Sequence, residues 1–185
     1  MGSGRKSMDW MLNGLTVVAL AVAFGLVARD RVLPALRERR IVDPGEQVPA
    51  DIQLRDLSTG DTLTLVSLAP ATVLVFLTTC PACERSTPAW REALSRSPDS
   101  RLIAVSVGND PEAAAWTARE LPGMITLQPL DTAEFLSALR IHVVPTALTV
   151  GVDGRMLDRR EGVLSPDDAW TLLTAPLTRG THAGS

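Results

Sequence analysis

Side chains that hold metals are scarce here, since two of the 185 residues are cysteine and two are histidine. A structural zinc site takes four such ligands, which would use up Cys80, Cys83, His142 and His182 together. His182 falls within Pro176 to Ser185, a stretch with the composition of a disordered tail that leaves it idle. No glycine-rich phosphate-binding loop and no internal repeat occurs. Clustered cations are also missing from the part of the chain that folds. Residues 1–40 carry seven Lys/Arg against three Asp/Glu, whereas the remainder carries eleven against eighteen. An acidic domain lacks the phosphate-neutralising surface that nucleic acid requires, so nucleic acid is excluded as a partner. At 45% hydrophobic residues the chain is too apolar for disorder and suits one domain plus an anchor.

What is present centres on the two cysteines, which stand two residues apart in Thr78-Thr79-Cys80-Pro81-Ala82-Cys83-Glu84-Arg85. The apolar, β-branched run Ala71 to Leu77 before them reads as a buried strand. The segment Ala82 to Leu94 after them carries good helix formers, and Pro81 suits a first helical turn, where its missing N–H has no partner to lose. Cys80 then sits at a helix N-terminus, where free N–H groups and the helix dipole stabilise a thiolate. Cys83, one turn in, is within reach to close a disulfide. A strand followed by Cys-x-x-Cys opening a helix is the thioredoxin-like arrangement of a redox dithiol, which needs no cofactor. A purely structural disulfide across so short a loop stabilises little. Copper(I) capture by Cys80, Cys83 and His142 stays open, because thiolate and imidazole suit that ion.

The chain divides into a polar tail (1–9), a membrane span (10–28), a juxtamembrane stalk (29–44), the domain (45–175) and the tail (176–185). Trp10 to Ala28 gives nineteen residues without a charge, enough to cross about 30 Å of hydrocarbon at about 1.5 Å per residue. A cleaved signal peptide is the other reading, with Ala21-Val22-Ala23 as its small-x-small site. Five arginines between Arg29 and Arg40 follow the span and two cations precede it. Taken alone, that asymmetry places the domain in the cytoplasm. Val42 to Ala50 reads as a linker. Ile52 to Leu57 and Thr62 to Leu68 read as an N-terminal hairpin around Ser58 to Asp61. Arg101 to Val107 is a second buried strand, followed by a helix from Pro111 to about Leu121 with Asp110 as its cap. Two apolar strands separated by a helix imply a parallel βαβ unit. Ile125 to Gln128 is a short strand and Thr132 to Arg140 a short helix. Thr146 to Val152 and Arg155 to Arg160 form a hairpin about Asp153-Gly154. Ser165 caps a last helix running to about Thr174.

With Cys80-Pro81-Ala82-Cys83, Pro88 and Val144-Pro145-Thr146 in place, residues 45 to 175 resemble the membrane-anchored thioredoxin-like proteins of the TlpA/ResA type. The wording Phe76-Leu77-x-x-Cys80-Pro81-x-Cys83 after an N-terminal span is also similar to the thioredoxin-like accessory proteins of methylamine utilisation. The resemblance implies an α/β fold, a central mixed sheet flanked by helices, with the N-terminal β-hairpin as an extension and one transmembrane helix before it. It implies that Pro88 kinks the redox helix and that Pro145 is cis and faces the disulfide. On sequence alone, without the resemblance, Pro145 reads as an ordinary trans proline opening an edge strand. Val144 would then offer backbone groups to an extended substrate strand. Thr79 stands where the family commonly has tryptophan, so that contact with substrate is absent. Leu74 replaces a buried acid and Ser86 a glutamate, which leaves the proton acceptor for Cys83 unassigned. Glu84 reads as a solvated surface charge.

The expectation is an anchored thiol-disulfide oxidoreductase. Cys80 attacks, Cys83 resolves, and protein thiols and disulfides are the substrates, served by a membrane or soluble redox partner. A thiol pair on a tether implies an extracytoplasmic domain on the cytoplasmic membrane, against the arginine count. A copper-delivery module on Cys80, Cys83 and His142 is the alternative, and a redox-inert docking module a third. The direction of electron flow is left open.

Overall fold

A computed structural model describes residues 44–179. The expected N-terminal tail, the span Trp10 to Ala28, nearly all of the stalk and residues 180–185 lie outside the described residues. Among those described, no helix is long and apolar enough to cross a membrane.

The sheet is built on β3 (Ala71–Phe76), whose six residues are all buried, as its unbroken apolar run demands of a strand covered on both faces. It pairs in parallel with β4 (Leu102–Ser106), which pairs in parallel with β5 (Ile125–Pro129). On the other side, β6 (Thr146–Val150) lies antiparallel to β3, and β7 (Met156–Glu161) antiparallel to β6. The expected hairpin forms as β1 (Gln53–Asp56) and β2 (Thr62–Thr64), and β1 joins the sheet antiparallel to β5. The order β2-β1-β5-β4-β3-β6-β7 makes one mixed seven-stranded sheet.

Alternation along the strands sends side chains to two cores. On one face Val73, Val75, Ile103, Val105, Leu127 and Leu148 pack with Phe135 and Leu139, contributed by α3 (Thr132–Ala138) and its C-cap. On the other, Leu74, Leu102 and Ala147 meet Trp90 and Ala93 of α1 (Pro81–Arg96) and Ala169, Leu172 and Leu173 of α4 (Pro166–Arg179). A smaller cluster at the end of this second face joins Phe76, Cys83 and Ala104 to Ala113 and Trp116 of α2 (Ala113–Glu120). Phe76 and Trp116 stack there with ring centroids 4.7 Å apart.

Four local expectations are corrected. The second hairpin strand stops at Thr64, and Val66–Leu68 is a 3₁₀ turn. Leu65 and Leu68 are both buried, and residues three apart would point to opposite faces of a strand. Residues 45–48 are not a free linker, because Gly45 and Val48 donate to Met156 and Gly154 carbonyls at 2.6 and 3.0 Å. Asp110 closes a turn onto the Glu112 N–H at 2.8 Å, and α2 starts beyond it at Ala113. Finally, α4 continues past Thr174 to Arg179. Pro176 deprives the Leu172 carbonyl of its helical donor, but Thr72 and Thr149 hydroxyls reach that carbonyl from the sheet at 2.9 and 3.3 Å. Pro88 is handled the same way in α1, where the Thr87 hydroxyl donates to the freed Glu84 carbonyl at 2.8 Å.

Candidate active site

Cys80 is the N-cap of α1, with extended backbone (φ −91°, ψ 112°) and Pro81 in the first turn. The strand β3 ends four residues earlier, and the Cys80 N–H closes the intervening loop on the Leu77 carbonyl at 3.2 Å. Its sulfur takes the place a serine or aspartate oxygen has in other caps. It accepts the Cys83 backbone N–H at 3.3 Å. The Cys80 thiol in turn donates to the Val144 carbonyl at 3.6 Å. Gly108 lets the neighbouring loop approach, since a Cβ there would stand 2.9 Å from a Leu77 methyl.

The two free thiols differ in kind. Burial pulls the Cys80 thiol up. The Cys83 thiol, the backbone N–H groups of Cys83 and Ala82, and the Arg85 charge outweigh that and hold it below the ordinary cysteine value. Cys83 is 2% exposed, under Phe76 and Trp116. That burial, with the Cys80 thiol beside it as second cause, pushes it up to about 12. Cys80 is therefore the more readily ionised thiol, at a partly open surface, while Cys83 stays a protonated thiol beneath it.

The Val144-Pro145 bond is cis, as the resemblance implied, and so is Ala69-Pro70, which the sequence did not single out. Val144 and Cys80 both pack against the cluster that holds Phe76, Cys83 and Trp116. Thr79 and Pro81 are exposed beside the sulfur, and Pro88 lies on the exposed side of α1. Leu74 belongs to the hydrophobic core. Ser86 is buried, with no hydrogen-bond partner for its hydroxyl. Glu84 and His142 are exposed. Among the described residues no three His, Cys, Asp or Glu side chains are grouped to hold a metal, so Cys80, Cys83 and His142 are not brought together as the copper reading needs.

Two features escaped the sequence. Thr78 donates its hydroxyl to Asp110, tying the cysteine loop to the loop after β4. Arg159, from β7, reaches the segment that leads to Pro145. Only Asp110 carried a signal, as a capping residue. Clefts of about 200 and 260 Å³ open beside β1 and α3, and neither is lined by a cysteine. Of the two sulfurs, only that of Cys80 belongs to a partly exposed residue.

No family profile matches the chain, and no curated protein does. Solved structures do. A thio-disulfide isomerase from Thermus thermophilus superposes with TM-score 0.59 at 22% identity, covering 75% of this chain and 98% of that one. The thioredoxin domain of a thiol-disulfide oxidoreductase from Bacteroides vulgatus gives 0.55 at 20%, covering 70% and 94%. A secreted Mycobacterium tuberculosis disulfide oxidoreductase homologous to E. coli DsbE gives 0.56 at 16%, covering 68% and 96%. At these identities the likeness is one of fold, and the chain has the thioredoxin-like fold of these thiol-disulfide oxidoreductases.

Proposed function

We propose that this protein is a membrane-tethered thiol-disulfide oxidoreductase acting on extracytoplasmic protein disulfides. The observation that carries the redox reading is the asymmetry of the two thiols on one helical turn. In the reducing direction the Cys80 thiolate attacks one sulfur of a substrate disulfide and expels the other as a thiolate, leaving a mixed disulfide. Cys83 then gives its proton to the expelled substrate thiolate and attacks the Cys80 sulfur, which releases the second substrate thiolate. The substrate gains two electrons and the Cys80-Cys83 disulfide forms. Oxidation of a substrate dithiol runs the same steps backward. Ionisation of Cys80 also takes its donor away from the Val144 carbonyl, which is then free to accept a substrate N–H as an extended strand docks.

The tether rests on the uncharged run from Trp10 to Ala28. The extracytoplasmic side rests on the resemblance to anchored redox proteins of the TlpA/ResA type. Reduction of insulin or of a disulfide-bonded peptide by the domain tests the activity. A folded protein with both thiols free that reduces neither overturns it. A reporter fused after Ser185 that is active only in the cytoplasm overturns the topology.

A further inference from the structure

The segment between α3 and β6 brings Val144 to the Cys80 sulfur, and its anchorage is unusual. Leu139 is the C-cap of α3, and Arg140 follows with φ 50°, the one positive φ of a non-glycine among the described residues. A helix ending this way leaves carbonyls without intrahelical donors. Arg159 supplies the donors from β7. Its guanidinium gives one N–H to the Leu139 carbonyl at 3.0 Å and another to the Arg140 carbonyl, and it also meets the Glu161 carboxylate. The Arg159 side chain is 16% exposed and Glu161 42%, so the sheltered contacts of this guanidinium are those to the two carbonyls. Further along, the Thr146 hydroxyl donates to the Val143 carbonyl at 2.6 Å, and Gly162 N–H donates to the Pro145 carbonyl at 2.8 Å. Residues at the end of β7 thus grip the segment on both sides of Val144, the residue 3.6 Å from Cys80.

We infer that Arg159 is a positioning residue, holding the Leu139–Pro145 segment so that the Val144 backbone stands beside Cys80 to receive a substrate strand. The inference rests on the oxidoreductase reading and extends it to a residue that touches neither sulfur. It separates two quantities. Docking depends directly on where the Val144 backbone stands, whereas the Cys80 thiolate is held mainly by the first turns of α1 and meets Val144 only through the bond its protonated thiol gives that carbonyl.

The test uses the full chain, with a disulfide-bonded peptide as substrate and iodoacetamide as a small probe of Cys80. Arg159→Met keeps the apolar stem and removes every donor. It should raise KM roughly tenfold, the equivalent of one net charge-assisted hydrogen bond, while the iodoacetamide rate, which senses Val144 only through its carbonyl, changes far less than kcat/KM. Arg159→Lys keeps the charge but cannot span two carbonyls, and should give an intermediate KM. It also serves if the methionine variant fails to fold. An unchanged KM in the folded variants overturns the inference, as does a loss of alkylation rate equal to the loss of kcat/KM. A wild-type protein inactive on every disulfide instead overturns the oxidoreductase reading itself.

Discussion

The Thr78 hydroxyl donates to the Asp110 carboxylate, joining the loop that carries Cys80 to the loop that leaves β4. The other oxygen of Asp110 accepts the Glu112 N–H at 2.8 Å, so one carboxylate organises both sides of the junction. A hydrogen bond to a charged group contributes about 1.5–3 kcal/mol. Asp110→Ala and Thr78→Val should each destabilise the domain by about that much. The double variant should fall short of their sum by at least about 0.5 kcal/mol, as expected of partners. Chemical denaturation of the four proteins measures this, and simple additivity would show that the bond contributes nothing.

The Leu172 carbonyl gives a second measurable relationship. It lies opposite Pro176, which has no N–H to offer, and the buried Thr72 hydroxyl is the nearer of its two donors. Thr72→Val keeps the shape and deletes that donor, so it should destabilise by about 1–2 kcal/mol. Pro176→Ala returns a helical N–H to the same carbonyl. In that background Thr72→Val should be milder, and equal losses in both backgrounds would separate Thr72 from the proline.

Where side-chain pattern and burial coincide, the sequence is informative. Ala71–Phe76 and Leu102–Ser106 are apolar on both faces because helices cover both faces, and the Asp153-Gly154 turn marks its hairpin because Gly154 takes a positive φ. Cys80 is legible at the helix N-terminus from Pro81 and the helix formers that follow it. What could not be read depends on contacts far apart in the chain. Pro176 looks like a helix stop until Thr72, a hundred residues away, satisfies the freed carbonyl. Arg159 stands among the charged residues Asp158, Arg160 and Glu161, where nothing local separates it from a solvated strand edge. Thr78 and Asp110 are 32 residues apart on two loops, and no periodicity links them. His142 suits copper(I) by its chemistry, but ligand chemistry does not fix where an exposed side chain lies relative to the cysteines.

Asp56 predicts an acid response. Its carboxylate accepts the Ser58 N–H and hydroxyl at 2.7 and 2.6 Å and the Thr59 N–H at 3.3 Å. The Ser58 hydroxyl is the largest cause that holds its pKa below the ordinary aspartate value, against an opposing push from burial. A depressed folded pKa stabilises the fold above the unfolded value near about 3.9 and is lost as pH falls through the folded one. Asp56→Asn should therefore lower Tm at pH 7, and the gap to the wild type should close as pH drops below about 4. A gap independent of pH would show that the charge is not what the loop uses.

Cys80 and Cys83 should behave as different reagents in the reduced, folded protein. Cys80 is partly open and held toward the thiolate by donors from the first turn of α1, chiefly the Cys83 thiol. Its reaction with iodoacetamide should rise with pH through a value below the ordinary cysteine pKa and then level off. Cys83 lies under Phe76 and Trp116, pushed up to about 12 by burial, and should stay unreacted until the domain unfolds. Each pKa unit by which Cys80 falls is about 1.4 kcal/mol of thiolate stabilisation, which makes its disulfide with Cys83 more oxidising. Removing the resolving thiol while keeping the attacking one should stop the reaction halfway. Cys83→Ser should therefore accumulate mixed disulfides through Cys80, and Cys80→Ser should trap almost nothing. Mass spectrometry of the alkylated and trapped species reads both results, and equal alkylation of the two thiols, or trapping by Cys80→Ser, would reverse their roles.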